Sequence, residues 1–293
     1  NINDGVTLNP QEKRNAIVCK LASIVRELSV DFEKFFQLYW SSDSIKRRNH
    51  QEFIVSLWVH TQKSTGGNIN KSERDSAYEN ESSETVQNKE RQQVRDVLKI
   101  VSECCINQDL EGKLLPNEAT RFDLCMVVHY LLTNNYKIVN KRKFFEWFVS
   151  SYTKIKNAVD DNGNNIILWK DTRGLNARDY SGVQRSYDGG HRAARLEAFV
   201  TEFSQLDEEV IIQKDSKRQY EANIRPLLWL QQDKKCAISS REIPLEHIMN
   251  GNVTHVDHII PHAKGGLTTV ENAQLVFADE NLIKSDDIPM GSL

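Results

Sequence analysis

Through the first two hundred residues, apolar side chains recur at intervals of three and four, which confines that length of chain to a mostly helical architecture. Ile17, Val18, Leu21, Ile24, Val25 and Leu28 fall on one helical face and are expected to be buried. Just ahead, Asn9-Pro10-Gln11-Glu12 predicts a helix start. Asn9 can cap the free amides, Pro10 suits the first turn, and Glu12 can reach back as a capping-box partner. Apolar segments at 32–40 and 53–60 extend this start into a helical layer, and the spacing returns at Val94, Leu98, Val101 and Cys105, at 122–132 and at 144–148. A turn at Asp160-Asp161-Asn162-Gly163 leads into Ile166-Ile167-Leu168-Trp169, read as a short strand, and residues 193–206 read as an amphipathic helix. From Leu227 the texture changes to short segments with Gly-containing turns that end in a helix near Asn281. The fold class is therefore α+β, with mostly α-helical N-terminal and middle regions. The expected division is a helical segment at 1–61, a polar loop or linker at 62–90, a helical region with basic Arg- and Gly-rich loops at 91–226, and a C-terminal domain at 227–293.

Composition narrows the class further. An apolar share of 39% in 293 residues allows a real core and excludes a disordered or collagen-like polymer. The chain holds no apolar run of the roughly 18 residues that a membrane helix needs, so a soluble, cytoplasmic protein with no membrane partner is expected. Five scattered cysteines, an odd number, fit a reducing compartment better than a disulfide framework. The net charge of −3 conceals a division. Residues 136–198 carry twelve Lys and Arg against seven acids, whereas residues 231–293 carry five against nine. The basic stretch, with Arg173, Arg178, Arg185 and Arg192 among Trp169, Tyr180 and Tyr187, suits phosphate contact.

The chemistry is concentrated near the C-terminus. There the chain reads Asp257-His258-Ile259-Ile260-Pro261, a Gly265-Gly266 turn, then Asn272, Asn281 and Lys284. This run resembles the HNH nuclease family over about the last sixty residues. The resemblance implies a ββα-metal HNH domain and a metal-dependent endonuclease hydrolysing phosphodiester bonds. Asp257 and Asn281 are hard oxygen donors suited to one divalent ion, Mg²⁺ or Mn²⁺. His258 is the expected general base, since imidazole as a class titrates near neutral pH. Asn272 would brace the loop or orient the imidazole, and Lys284 and Lys264 would meet phosphate. Adjacent strand residues point to opposite faces, so Asp257 and His258 can share a side only if the backbone bends between them.

Many members of that family also hold a structural zinc on two Cys-x-x-Cys pairs. Here the matching positions are Cys236 and Ser239, then Phe277 and Glu280, so no zinc is expected and Cys236 and Phe277 should pack apolarly instead. Residues 2–16 resemble the segment that follows the ParB-like NTPase core in GmrSD-type modification-dependent restriction proteins. That implies a restriction or antiviral defence nuclease acting on duplex DNA, modified or not, with any NTP bound through a domain outside this chain. The stretch Asp188-Gly189-Gly190-His191-Arg192 is similar to the Asp-Gly-x-x-Arg box of ParB-like domains, but the strand expected before it is polar, which favours a DNA-contact or turn role. Cleavage of both strands by one site would take a homodimer or two nicks. Two other readings remain open at this point: a catalytically silent DNA-binding or regulatory HNH protein, and an RNase or toxin nuclease.

Overall fold

The computed structural model describes residues 7–63, 67–79, 84–109, 111–174, 176–213, 219–221, 224–262 and 265–283. The chain divides into two compact units, one of residues 1–133 and 138–211, the other of residues 134–137 and 212–293. The stretches read separately as 1–61, 62–90 and most of 91–226 thus share one unit.

That first unit is mainly helical. It begins with α1 (Pro10–Arg14), α2 (Lys20–Asp31), α3 (Glu33–Tyr39) and α4 (Ser42–Lys46), followed by α5 (Asn49–Gln62), α6 (Lys71–Glu79), α7 (Glu84–Gln108) and α8 (Glu118–Thr133). After the strand β1 (Tyr136–Ile138), the greater part of which belongs to the second unit, come α9 (Lys141–Lys156), the antiparallel pair β2 (Ile167–Lys170) and β3 (Ala177–Asp179), and the helices α10 (Tyr180–Gln184) and α11 (Gly189–Thr201). The capping box at Asn9 and Glu12 forms as the sequence predicts. The helix it opens, however, ends at Arg14, and a new one starts at Lys20. Ile17 and Val18 fall in the break and are exposed, Val18 fully, because the spacing that would have buried them does not run through it. The polar stretch expected as a loop or linker holds α6 and the first turns of α7. Of its few apolar positions, Ile69 and Tyr78 are buried, and the buried Arg74 pairs with Glu52 at 3.0 Å.

Helix α7 runs against α5, α8 and α9. Between them lies a core of Val97, Leu98, Val101, Cys105, Leu124, Val127, Phe144 and Phe148. Helix α5 is apolar nearly all round, from Phe53 to Val59, and is buried accordingly. A polar network lies inside the same core. The guanidinium of Arg195 pairs with Asp123 at 2.8 Å, both side chains almost wholly buried, and the Tyr180 hydroxyl donates to the same carboxylate at 2.7 Å. Among the described residues no helix is long and apolar enough to cross a membrane, and all five cysteines are free.

The second unit contains β4 (Ile211–Gln213) in its greater part, α12 (Arg225–Gln231), β5 (Thr254–His258), β6 (Ala273–Phe277) and α13 (Ala278–Ile283). The strands β5 and β6 form an antiparallel hairpin in the register Thr254 to Phe277, Val256 to Leu275 and His258 to Ala273. Leu228, Cys236, Ile243, Ile248, Ala273, Leu275, Val276 and Phe277 make its apolar cluster, with Tyr220, Trp229 and Val256 packed against them. The helix α13 follows β6 without a loop and lies against both strands.

Candidate active site

The hairpin sorts its side chains by alternation. Thr254, Val256 and His258 project to one face, His255 and Asp257 to the other. On the latter face α13 brings Asn281 up to β5, where its Nδ2 stands 3.3 Å from His255 Nδ1. Gln274, opposite Asp257 in the register, donates from Nε2 to Asp257 Oδ2 at 3.2 Å. His255, Asp257 and Asn281 are all half-buried, accessible enough for a small ligand and covered enough to be held in place.

His258 occupies the last position of β5, and strand pairing continues through it to Ala273. The bend that would turn it toward Asp257 is therefore not made within the strand. The imidazole is buried, with Nε2 3.1 Å from the Thr268 hydroxyl, the Tyr220 ring 4.6 Å away and His262 at 5.7 Å. Tyr220 and Thr268 are neighbours that sequence reasoning missed. Tyr220 lies 38 positions upstream, and no local spacing announces it.

Asn272 acts on the loop after His258. Its Oδ1 accepts from the Ile260 amide at 2.8 Å, and its Nδ2 donates to the carbonyls of Ile260 at 3.1 Å and Leu267 at 2.8 Å. Its own carbonyl accepts from the Tyr220 hydroxyl at 3.0 Å and from the Ile259 amide at 2.9 Å. Bracing is the role these bonds support. Gly266 fits in the turn only because it lacks a Cβ, which would stand 1.8 Å from the Ile260 carbonyl oxygen. Lys264 and Lys284 lie outside the described residues.

At the positions of the family's zinc pairs, Cys236 and Phe277 share the apolar cluster. The Cys236 thiol donates to Glu280 Oε2 at 2.8 Å. Arg241 sits 4.0 Å above the Phe277 ring and reaches Glu280 at 3.3 Å, so thiol, carboxylate, ring and guanidinium fasten the start of α13 to the loop before β5. Among the described residues no three His, Cys, Asp or Glu side chains gather as a metal cluster.

Residues 236–290 match the family model for an HNH endonuclease. The HNH domain, with its hairpin and closing helix, lies wholly in the second unit. No curated protein and no solved structure matches the chain. An HNH endonuclease domain points to nuclease activity and to nucleic acid as its substrate.

The basic region outside the HNH domain is only partly what the sequence suggests. Arg173, Arg178 and Arg185 are exposed. Arg192 is fully buried, its Nη1 2.6 Å from His60 Nδ1 and its Nη2 donating to the Gly67 carbonyl, so it is withdrawn from any phosphate. It follows Asp188 in the first turns of α11, where Asp188 caps the His191 amide, and the Gly-Gly stretch serves as a helix start. Lys141, Arg142, Lys143 and Lys154 are paired with carboxylates. Residues 2–6 of the N-terminal resemblance lie outside the described residues.

Proposed function

We propose that the chain is a metal-dependent endonuclease that hydrolyses phosphodiester bonds in duplex DNA and serves to restrict foreign DNA. The observation that carries this reading is the meeting of the Asp257 face of β5 with Asn281 of α13, while His258 closes the same strand under Thr268 and Tyr220. The two oxygen-bearing side chains would supply a donor set of the chemistry that suits one hard divalent cation, Mg²⁺ or Mn²⁺, with positions left for phosphate and water. Once bound, such an ion supplies charge neutralisation at the phosphate and the leaving oxygen.

The protein's own groups do the rest. A phosphodiester drawn across the end of β5 meets the Asp257 side of the hairpin and the imidazole on the other. His258 takes a proton from the attacking water as its oxygen bonds to phosphorus and the bond to the leaving oxygen breaks. Thr268 and Tyr220 keep the ring from rotating away, and Asn272 fixes the loop on which the substrate rests. Arg173, Arg178 and Arg185 would supply phosphate contacts from the first unit. With one thiol and one carboxylate among its four zinc-pair positions, the domain would hold its closing helix without a structural zinc. The role in restriction rests on the resemblance of residues 2–16 to GmrSD-type proteins.

Incubation of plasmid DNA with Mg²⁺ or Mn²⁺ tests the reading, with His258→Ala as the comparison. Wild-type protein should nick or cut, and the variant should lose 100-fold or more of the rate, the scale of general base catalysis. Equal cleavage by both would refute the mechanism. Preferential cleavage of single-stranded RNA would refute the assignment to DNA.

A further inference from the structure

We propose that His255 supplies a third, nitrogen ligand to the cation site beside Asp257 and Asn281, and that this imidazole biases the site toward Mn²⁺ and other transition ions over Mg²⁺. The inference rests on the cation site proposed above. It begins from alternation: His255 stands two residues before Asp257 on the same strand, so both project toward α13. His255 Nδ1 and the Asn281 amide are 3.3 Å apart. Bonds of about 2.1 Å at right angles place adjacent ligands of an octahedral ion about 3 Å from one another, so the pair already has the spacing of neighbours in a coordination shell.

The amide of Asn281 can be turned by half a revolution to present oxygen where nitrogen now faces the ring. A hydrogen bond then becomes a pair of donors aimed at one point. Gln274 steadies the third member through Asp257 Oδ2. His255 has one end of its ring at Asn281 and is half-buried, as an ion with open positions for water and phosphate requires. The donor set becomes one carboxylate, one amide oxygen and one imidazole. Oxygen donors suit Mg²⁺ and Mn²⁺ alike, whereas imidazole nitrogen favours the later first-row ions, so adding it raises affinity for Mn²⁺ more than for Mg²⁺.

Binding rather than turnover provides the test. Mn²⁺ and Mg²⁺ are titrated calorimetrically into the chelator-treated full chain, and bound Mn²⁺ is examined by pulsed electron paramagnetic resonance for coupling to nitrogen. Wild-type protein should bind Mn²⁺ at least 10-fold more tightly than Mg²⁺ and show an imidazole nitrogen coupling. His255→Ala should lose about 10-fold in Mn²⁺ affinity and the coupling, with Mg²⁺ affinity changing by less than 2-fold. Absence of the coupling in wild type overturns the proposal even if the variant fails to fold. So does unchanged Mn²⁺ affinity in a folded His255→Ala protein. Asp257→Ala separates the two levels: loss of metal binding there but not in His255→Ala overturns the ligand assignment alone, and unchanged binding in both overturns the cation site itself.

Discussion

At Gly266 the turn after β5 leaves room for a hydrogen and nothing more. A methyl group there meets the Ile260 carbonyl and the Asn272 amide together, so Gly266→Ala should cost about 2–3 kcal/mol, as overpacked sites do. The denaturation midpoint would report it. A second residue-scale effect concerns protons. His50 is 3% exposed, with Nε2 2.6 Å from Ser29 Oγ and the Phe36 ring against it. Burial, and after it the charge of Arg48, push its pKa down to about 4. The folded value lies below the unfolded one of about 6.5, so this contribution to stability is whole above pH 6.5 and is lost as pH falls toward 4. The loss is about 2 kcal/mol at pH 5. His60, held well down by burial and then by Arg192, acts in the same direction. Unfolding midpoints measured from pH 7 to 5 should fall, and His50→Gln should remove part of that fall.

Among elements, α8, α10 and α11 are joined by the buried trio Asp123, Tyr180 and Arg195. Removing the carboxylate leaves a guanidinium without its counter-charge in the core, so Asp123→Ala should lower stability by about 3–5 kcal/mol in chemical denaturation. The charge count in the sequence could not show this. It read Arg192 and Arg195 as part of a basic surface, because composition carries no record of direction, whereas the α11 spacing points both inward. Elements defined by local rules were legible: the capped start at Asn9, the strand at Ile167, and the closing helix near Asn281. The break at Ile17 and Val18 was not, since one periodic pattern can span two helices. Nor was α6, which sits in a polar stretch with only Ile69, Arg74 and Tyr78 buried among the described residues. Tyr220 and Thr268 depend on contacts made only after the chain has folded.

For the molecule as a whole, charge is distributed by purpose more than by total. The HNH domain is acidic, and the exposed arginines of the first unit are set apart from those tied up inside it. Replacing Arg173, Arg178 and Arg185 together with Ala should weaken DNA binding and flatten its salt dependence by up to about three counterions' worth of slope. Fluorescence anisotropy across a salt series would read this directly, and an unchanged slope would remove the region from the binding surface. The β5 strand carries a further consequence through its alternation. Gln274 and His255 touch one face of it, Thr268 and Tyr220 the other. Both faces serve one phosphodiester in the proposed mechanism, so changes made on the first side and on the second should be coupled and fail to add in free energy. An engineer who altered the ion's side of this short hairpin should therefore expect to reset the base's side as well, because one strand ties both to a single step.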